Sequence, residues 1–197
     1  RIHPKNPPKF VRRACQVARE LGGKLKFVSD TQTIRSLVWT GIDEADANEY
    51  ISTGCHNPTI PAKTHDIGGS SFNYPLILEL TLNHGVDQLT GEQTGLDLGD
   101  LTTYQTFQAL EDAFARQIDY FTDRMVACVT QVEHMHEALL PTPFLSAVID
   151  DCMTRGLDVT QGGAHYNFAG VQAIQVANVA DSLAAIKALV YDEHRLS

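Results

Sequence analysis

Apolar residues recur every three or four positions along most of this 197-residue chain and alternate strictly in only a few short stretches. That is the pattern of helices interleaved with brief strands. "PPKFVRRACQVARELGG" puts Phe10, Ala14, Val17 and Leu21 on one helical face, opens with Pro8 and closes on Gly22–Gly23, which predicts the first helix. "KLKFVS" alternates as a short strand does. "TQTIRSLVWTG" and "DEADANEY" read as short helical turns, the second with acids in its first turn, where the helix dipole favours them. "YIST" is strand-like and runs straight into Gly54–Cys55. Pro75 opens "LILELTLNHG", a helix that stops at Gly85. The Gly/Asp/Thr stretch "GVDQLTGEQTGLDLGD" predicts a loop long enough to be a functional excursion.

From Thr103 to Leu140, Phe107, Leu110, Phe114, Ile118, Phe121, Met125 and Val129 mark one face of the longest helix, which Pro141 ends. "PFLSAVIDDCMTRG" predicts one further helix. A polar, glycine-punctuated loop, a strand over Val171–Val176 and a helix with Asp181 as its N-cap finish the chain. Helices alternating with short strands place the fold in the α/β class.

Composition narrows the function. With 43% hydrophobic and 20% charged residues the chain has the make-up of a globular protein. Its net charge of −9 argues against nucleic acid and anionic membrane surfaces as partners. No apolar run reaches the ~20 residues of a membrane span, and no signal-peptide core opens the sequence. Cys15, Cys55, Cys128 and Cys152 are far apart and form no CxxC pair, which fits a reducing, cytoplasmic setting. A start at Arg1 and a stop directly after a helical pattern suggest a piece of a longer polypeptide.

Cys15, Cys128 and Cys152 fall on helical patterns and read as buried small hydrophobes. Cys55 differs, because it follows Gly54 and precedes His56-Asn57-Pro58 on what reads as a loop. A thiol flanked by glycine and braced by proline is positioned rather than packed. Three chemistries compete for it. A nucleophile needs a thiolate and a base, from His56 or His65, although neighbours in an extended loop point to opposite sides. A zinc ligand needs a clustered set of partners, and no second Cys/His pair supplies one. A thiyl radical needs no base but demands a closed, water-poor cavity, with the protein mainly positioning and excluding.

Elsewhere the patterns are bland. His134 and His136 sit about 200° apart around a helix and read as solvated or capping residues. "GGSS" (68–71) reads as a flexible turn. Glu92, Asp97 and Asp100 read as a solvated loop. "HYNFAGVQ" combines Tyr166, Asn167 and Gln172 around glycines and either walls a pocket or makes a plain turn.

Three stretches, "STGCHNPTIPAKT", "LELTLNHGVDQLTGEQTG" and "VTQGGAHYNFAGVQAIQVANVADSLAAIKALVYDE", together resemble the glycyl radical enzymes. These are the pyruvate formate-lyase-like proteins, and the nearest branch holds glycerol and diol dehydratases, choline lyase and arylacetate decarboxylases. The resemblance covers nearly all of the chain. It implies that residues 1–197 are an internal segment of one helix-rich α/β barrel of ten strands, with the cysteine loop at about 50–70. Cys55 then matches the cysteine that becomes a thiyl radical. The radical-storing glycine lies in an Arg-Val-x-Gly-aromatic motif absent from this sequence, so this segment alone is expected to be inactive. No cofactor is expected to bind directly, the glycyl radical being installed by a radical-SAM iron–sulfur activating enzyme.

Two departures from that pattern matter. Dehydratases and decarboxylases of this branch read Gly-Cys-Val-Glu, and here His56 and Asn57 replace Val-Glu. Asn cannot exchange protons as an acid or base. Gly69 stands near the place of a second acid. The expectation is hydrogen abstraction by Cys55 from a small oxygenated or carboxylated metabolite, leading to elimination or C–C/C–X cleavage. His56 would act as acid/base, with Asn57, Tyr166, Asn167 and Gln172 at the substrate. Two alternatives stay open: a radical synthase adding substrate to fumarate, and a non-catalytic binding or scaffold relative. A zinc-binding module ranks behind both. A homodimer is implied by the resemblance only.

Overall fold

The computed structural model describes residues 1–22, 24–54, 57–66 and 68–196. Its elements run α1 (Pro8–Glu20), α2 (Asp30–Trp39), α3 (Glu44–Asn48), β1 (Ile51–Thr53), β2 (Asn57–Thr59), β3 (Thr64–Asp66), β4 (Ser70–Asn73), α4 (Tyr74–Leu82), α5 (Phe107–Leu139), α6 (Pro143–Ser146), α7 (Cys152–Arg155), β5 (Tyr166–Phe168), β6 (Val171–Ile174) and α8 (Val176–Ile186). They form two compact units. The first comprises Arg1–His65 and Pro141–Phe168, the second Asp66–Leu140 and the chain from Ala169 onward. Among the described residues no helix is long and apolar enough to cross a membrane.

In the first unit, Leu37 of α2, Ile42, Ala47 of α3, Tyr50 and Ile60 make the core, with Val28, Ile34, Tyr166 and Phe168 packed around it. Tyr50 is fully buried, and its hydroxyl donates to Asp30 Oδ1 at 2.8 Å. Arg1 donates to the same oxygen at 2.6 Å and lies 4.0 Å over the Tyr50 ring. Burial by itself would raise the Asp30 carboxyl, but the bonds from Arg1 and Tyr50 reverse that and hold it below the usual carboxylate range. A satellite cluster of Cys152, Val159 and Ala164, with Ile149 against it, closes the other part of this unit.

In the second unit, β4 and β6 pair in parallel, Ser70 opposite Val171 through Asn73 opposite Ile174. Asn73 then caps α4 by accepting from Leu76 N, with Pro75 in the first turn. The core gathers Phe72, Ile77, Leu78, Phe114 and Val179, with Ile118, Phe121 and Met125 of α5 packed on it. Tyr104, Leu110 and Ala113 form a second cluster. The periodic stripe of α5 is therefore the face that packs, as its spacing predicts. One polar residue interrupts it: Gln117 is completely buried. Its side-chain amide accepts from Leu96 N at 2.8 Å and donates to Leu96 O at 3.1 Å. The glycine-rich loop before α5 is thereby tied to the helix, and a Cβ on Gly95 would stand 2.7 Å from Gln117 Nε2.

Several expectations are corrected. "KLKFVS" forms no strand; only Ser29 bridges, to Ile2, and Leu25 and Phe27 are exposed. Alternation without a neighbouring strand has nothing to pair with. "GGSS" is not a flexible turn, since Ser70 and Ser71 lie in β4. The region from Pro143 to Arg155 is two short helices rather than one, because Asp151 takes φ 75° and Asp150 N donates to Ala62 O instead of continuing the ladder. The last helix begins at Val176, after Gln175 turns in the left-handed region, so Asp181 is interior rather than its cap. Here packing of Val179 and Leu183 into the core outweighs the capping preference. Cys152 is buried, but Cys15 and Cys128 are exposed. The apolar side of α1 is likewise not covered, with Phe10 53% exposed.

Both polar anchors can be tested. Gln117→Leu leaves the N–H and C=O of the half-buried Leu96 without their side-chain partner and is expected to cost about 1–3 kcal/mol. Native-state hydrogen exchange of residues 85–99 in the complete protein should show that loss, whereas unchanged protection would exclude it. The second anchor is Asp158. Its burial favours the neutral acid, yet donors from Thr160, Ser146 and Thr142 hold its carboxyl well below the usual range. A depressed folded pKa stabilises above the unfolded value of about 3.9 and is lost as pH falls through the folded one. Exchange protection of residues 142–161 should therefore be full at pH 6 and fall below pH 4, with Asp158→Asn removing that acid-side dependence.

Candidate active site

The cysteine loop is built on a hairpin. β1 and β2 are antiparallel, with Ile51 opposite Thr59, Ser52 opposite Pro58 and Thr53 opposite Asn57. The residues between the last pair in sequence are Gly54, Cys55 and His56; Cys55 and His56 lie outside the described residues. Gly54 has φ +49°, in the left-handed region where glycine meets no Cβ penalty. Its carbonyl accepts from Lys26 Nζ at 3.1 Å. Thr53 and Thr59 join across the hairpin through their hydroxyls at 2.9 Å, and Thr53 Oγ1 also donates to Asn57 O at 3.1 Å. They are diagonal neighbours in this register, within reach of each other across the pair, and the hydroxyl bond joins the two strands.

Both arms of the hairpin start in the core. Tyr50, directly before β1, is fully buried, and Ile60, directly after β2, is 2% exposed in the same cluster. The returning arm then makes a tight turn. Lys63 N and Thr64 N donate to Ile60 O, and Ile60 N donates to Thr64 Oγ1. Ala62, inside this turn, takes φ 60°, a conformation that L-residues with a Cβ avoid unless the surroundings enforce it.

Of the other expected site residues, Asn57 begins β2 with its side chain exposed, and His65 is half-buried on β3, which pairs with β5. On β5, Tyr166 and Phe168 share a face, their rings stacked 6.4 Å apart. Asn167 is on the opposite face, exposed, and donates to Ala164 O at 2.9 Å and Gly162 O at 3.2 Å. Tyr166 is half-buried, and its hydroxyl donates to Asp46 Oδ2 at 2.8 Å and accepts from Asp43 N. Burial first, and then that carboxylate, push the Tyr166 phenol up. Lys63 Nζ meets the other Asp46 oxygen at 2.6 Å. Gln172, exposed on β6, belongs to the second unit, opposite Ser71 in the parallel register.

Sequence pattern singles out neither Asp46 nor Asp66, and both are structurally engaged. Asp66 Oδ1 accepts from Gly68 N at 2.8 Å and from Gly170 N at 2.9 Å. A Cβ on Gly170 would stand 2.8 Å from both Asp66 oxygens. Gly69, near the place of the second acid, is less tightly confined, with Val129 Cγ1 3.3 Å from where its Cβ would be. Nothing in the spacing of Asp46 or Asp66 separates them from solvated acids; their partners lie across the fold. The histidines of α5 match their reading, with His134 exposed and His136 in the last turn. Asp97 and Asp100 bond backbone N–H groups of their own loop.

The model of the pyruvate formate lyase-like family matches residues 1–197. The chain belongs to that family. The (2S)-3-sulfopropanediol dehydratase of Klebsiella oxytoca is 34% identical over 198 residues, covering 100% of this chain and 24% of that protein. The glycerol-bound form of the B12-independent glycerol dehydratase from Clostridium butyricum superposes with TM-score 0.87 at 34% identity, over 100% of this chain and 25% of that one. The hydroxyproline dehydratase of Clostridioides difficile, with trans-4-hydroxy-L-proline bound, gives 0.90 at 32%, with the same coverage. The chain thus spans about a quarter of the length of these pyruvate formate lyase-like relatives. Its helix-rich α/β fold is theirs.

Gly170→Ala tests the Asp66 link within this family segment. The methyl group is expected to displace the carboxylate and loosen β6 from β4, at a cost of about 1–3 kcal/mol. Faster amide exchange at residues 70–73 would register it, and wild-type rates there would rule it out.

Proposed function

We propose that this chain is the cysteine-loop segment of a glycyl radical enzyme of the dehydratase or lyase kind. The observation that carries the reading is the hairpin: Thr53 pairs with Asn57, both strands are rooted in one core, and in the sequence Gly54-Cys55-His56 stands between the two paired residues. A cysteine that follows so firmly rooted a strand in the sequence suits a reaction that needs reach and orientation rather than a basic environment.

In the complete protein, Cys55 gives its S–H hydrogen atom to a glycyl radical outside this chain, which a radical-SAM iron–sulfur enzyme installs. The thiyl group then takes a hydrogen atom from a substrate C–H. An S–H bond forms, the C–H bond breaks and the radical passes to carbon, from which a neighbouring group is eliminated or a bond cleaved. The substrate is a small oxygenated or carboxylated metabolite, as glycerol, sulfopropanediol and hydroxyproline are for the relatives named above. His56 serves as acid/base where the branch has Val-Glu. Within the first unit, Asn57 offers its amide and Asn167 its amide oxygen to the substrate, and Tyr166, whose hydroxyl is held by Asp46, offers its ring. The protein is cytoplasmic and homodimeric in this reading. Asn57 favours a second reading, a radical synthase that adds substrate to fumarate and needs no proton exchange there.

Cys55→Ala in the complete, activated protein is expected to abolish turnover of glycerol, (2S)-3-sulfopropanediol or trans-4-hydroxy-L-proline, whichever the wild type accepts. The electron paramagnetic resonance signal of the glycyl radical should persist. Turnover that survives the substitution would refute the assignment.

A further inference from the structure

We infer that Asp46 is a positioning residue for the cysteine hairpin, holding its returning arm to the helix that precedes it through Lys63 and Tyr166. Asp46 lies on α3, just before β1, and Lys63 lies just after β2, so their contact closes the stretch of chain that contains the hairpin. Each carboxylate oxygen has its own donor: Lys63 Nζ at 2.6 Å on Oδ1 and the Tyr166 hydroxyl at 2.8 Å on Oδ2. The Asp46 and Lys63 side chains are only 19% and 34% exposed, which separates this pair from freely solvated ion pairs of negligible worth. Tyr166 N in turn donates to Lys63 O at 2.9 Å, so β5 grips Lys63 by backbone and, through Asp46, by side chain.

The segment so gripped carries local strain. Ala62 is held at φ 60° by the bonds of Lys63 N and Thr64 N to Ile60 O and of Asp150 N to Ala62 O. Strain of this kind survives only where the surroundings over-determine the backbone. Tyr50 and Ile60 keep the hairpin folded from below. What Asp46 adds is a fixed height and tilt for the arm that ends next to Asn57. Hydrogen-atom transfer requires reacting atoms within about 3–3.5 Å, and a displacement of 1 Å costs about 100-fold in rate. A clamp on this arm is therefore a device for reach. Its bearing on catalysis rests on the role proposed for Cys55, but the clamp itself can be tested without turnover.

The test uses Asp46→Asn in the complete protein, with two readouts. Amide exchange of peptides spanning 51–59 should accelerate at least ~10-fold, as expected when a local anchor is lost. The rate of Cys55 alkylation by iodoacetamide, followed by peptide mass spectrometry, should rise several-fold. Exchange across 107–139 should stay at wild-type rates and Tm within about 2 °C, since the core is untouched. Lys63→Met should reproduce the effect, and Lys63→Arg, which keeps charge and donors, should restore wild-type behaviour. Wild-type exchange and alkylation in Asp46→Asn would overturn the inference, and so would loss of protection spread equally over 107–139. Survival of turnover in Cys55→Ala would defeat the enzymatic reading while leaving these two readouts, and so the test of the clamp, unchanged.

Discussion

The first unit depends on one buried contact, the Tyr50 hydroxyl on the Asp30 carboxylate. A phenol removed from water needs an acceptor, and a carboxylate removed from water needs donors. Each answers the other, and Arg1 supplies the remaining charge at 2.6 Å. Because Tyr50 is also the residue from which β1 departs, this polar requirement fixes where the hairpin begins. Ile60, whose full burial is worth about 1.5–3 kcal/mol, fixes where it returns. Core and hairpin strands are in this sense one object, and the residues that pack decide where the two strands leave the core.

The second unit solves a related problem with glycine. A two-stranded parallel sheet is a weak element taken alone, and β4 with β6 is held by more than its ladder. Asp66 draws the backbone of Gly68 and Gly170 together, and Ser70 N donates to Gly170 O just ahead of the first strand pair. Val129 of α5 closes over Gly69. The approach is close enough that neither Gly69 nor Gly170 has room for an unhindered Cβ. Gly69 is thus explained by packing, which accounts physically for a glycine where the resemblance leads one to look for an acid.

Much of this was legible in the sequence, because the signals were local. Pro8, Pro75 and Pro141 mark helix boundaries correctly, and the stripe from Phe107 to Val129 is the packed side of α5. The motif around Cys55 leads to the family, while the strand that returns after it, β2, has no signal in the sequence. What the sequence hides is set by partners distant along the chain. "KLKFVS" and "GGSS" exchange roles because a strand exists only where another can pair with it. The helix from Pro143 onward divides because Ala62 O, from elsewhere, takes the Asp150 N–H that a continuous helix would keep, and Asp151 turns to φ 75°. Gln117 looks like a polar break in an apolar face until Leu96 appears opposite it. Asp46 and Asp66 look like two acids among the many of a chain with 24 Asp and Glu residues.

The hairpin gives the substitution of His56-Asn57 for Val-Glu a sharper meaning. Asn57 is the first residue of β2, its carbonyl engaged by Thr53 and its side chain outward. The hairpin holds this position by its backbone, through the pairing with Thr53 and the carbonyl, neither of which depends on the side chain. An amide there can donate and accept hydrogen bonds at fixed geometry but cannot release a proton near neutral pH. Under the proposed function, proton transfer would then fall to another group, and His56 is the neighbour of Asn57 in the sequence. In that reading hydrogen abstraction would rest with Cys55 and proton transfer with another group, so that the residue at 57 would limit which leaving groups the reaction could assist.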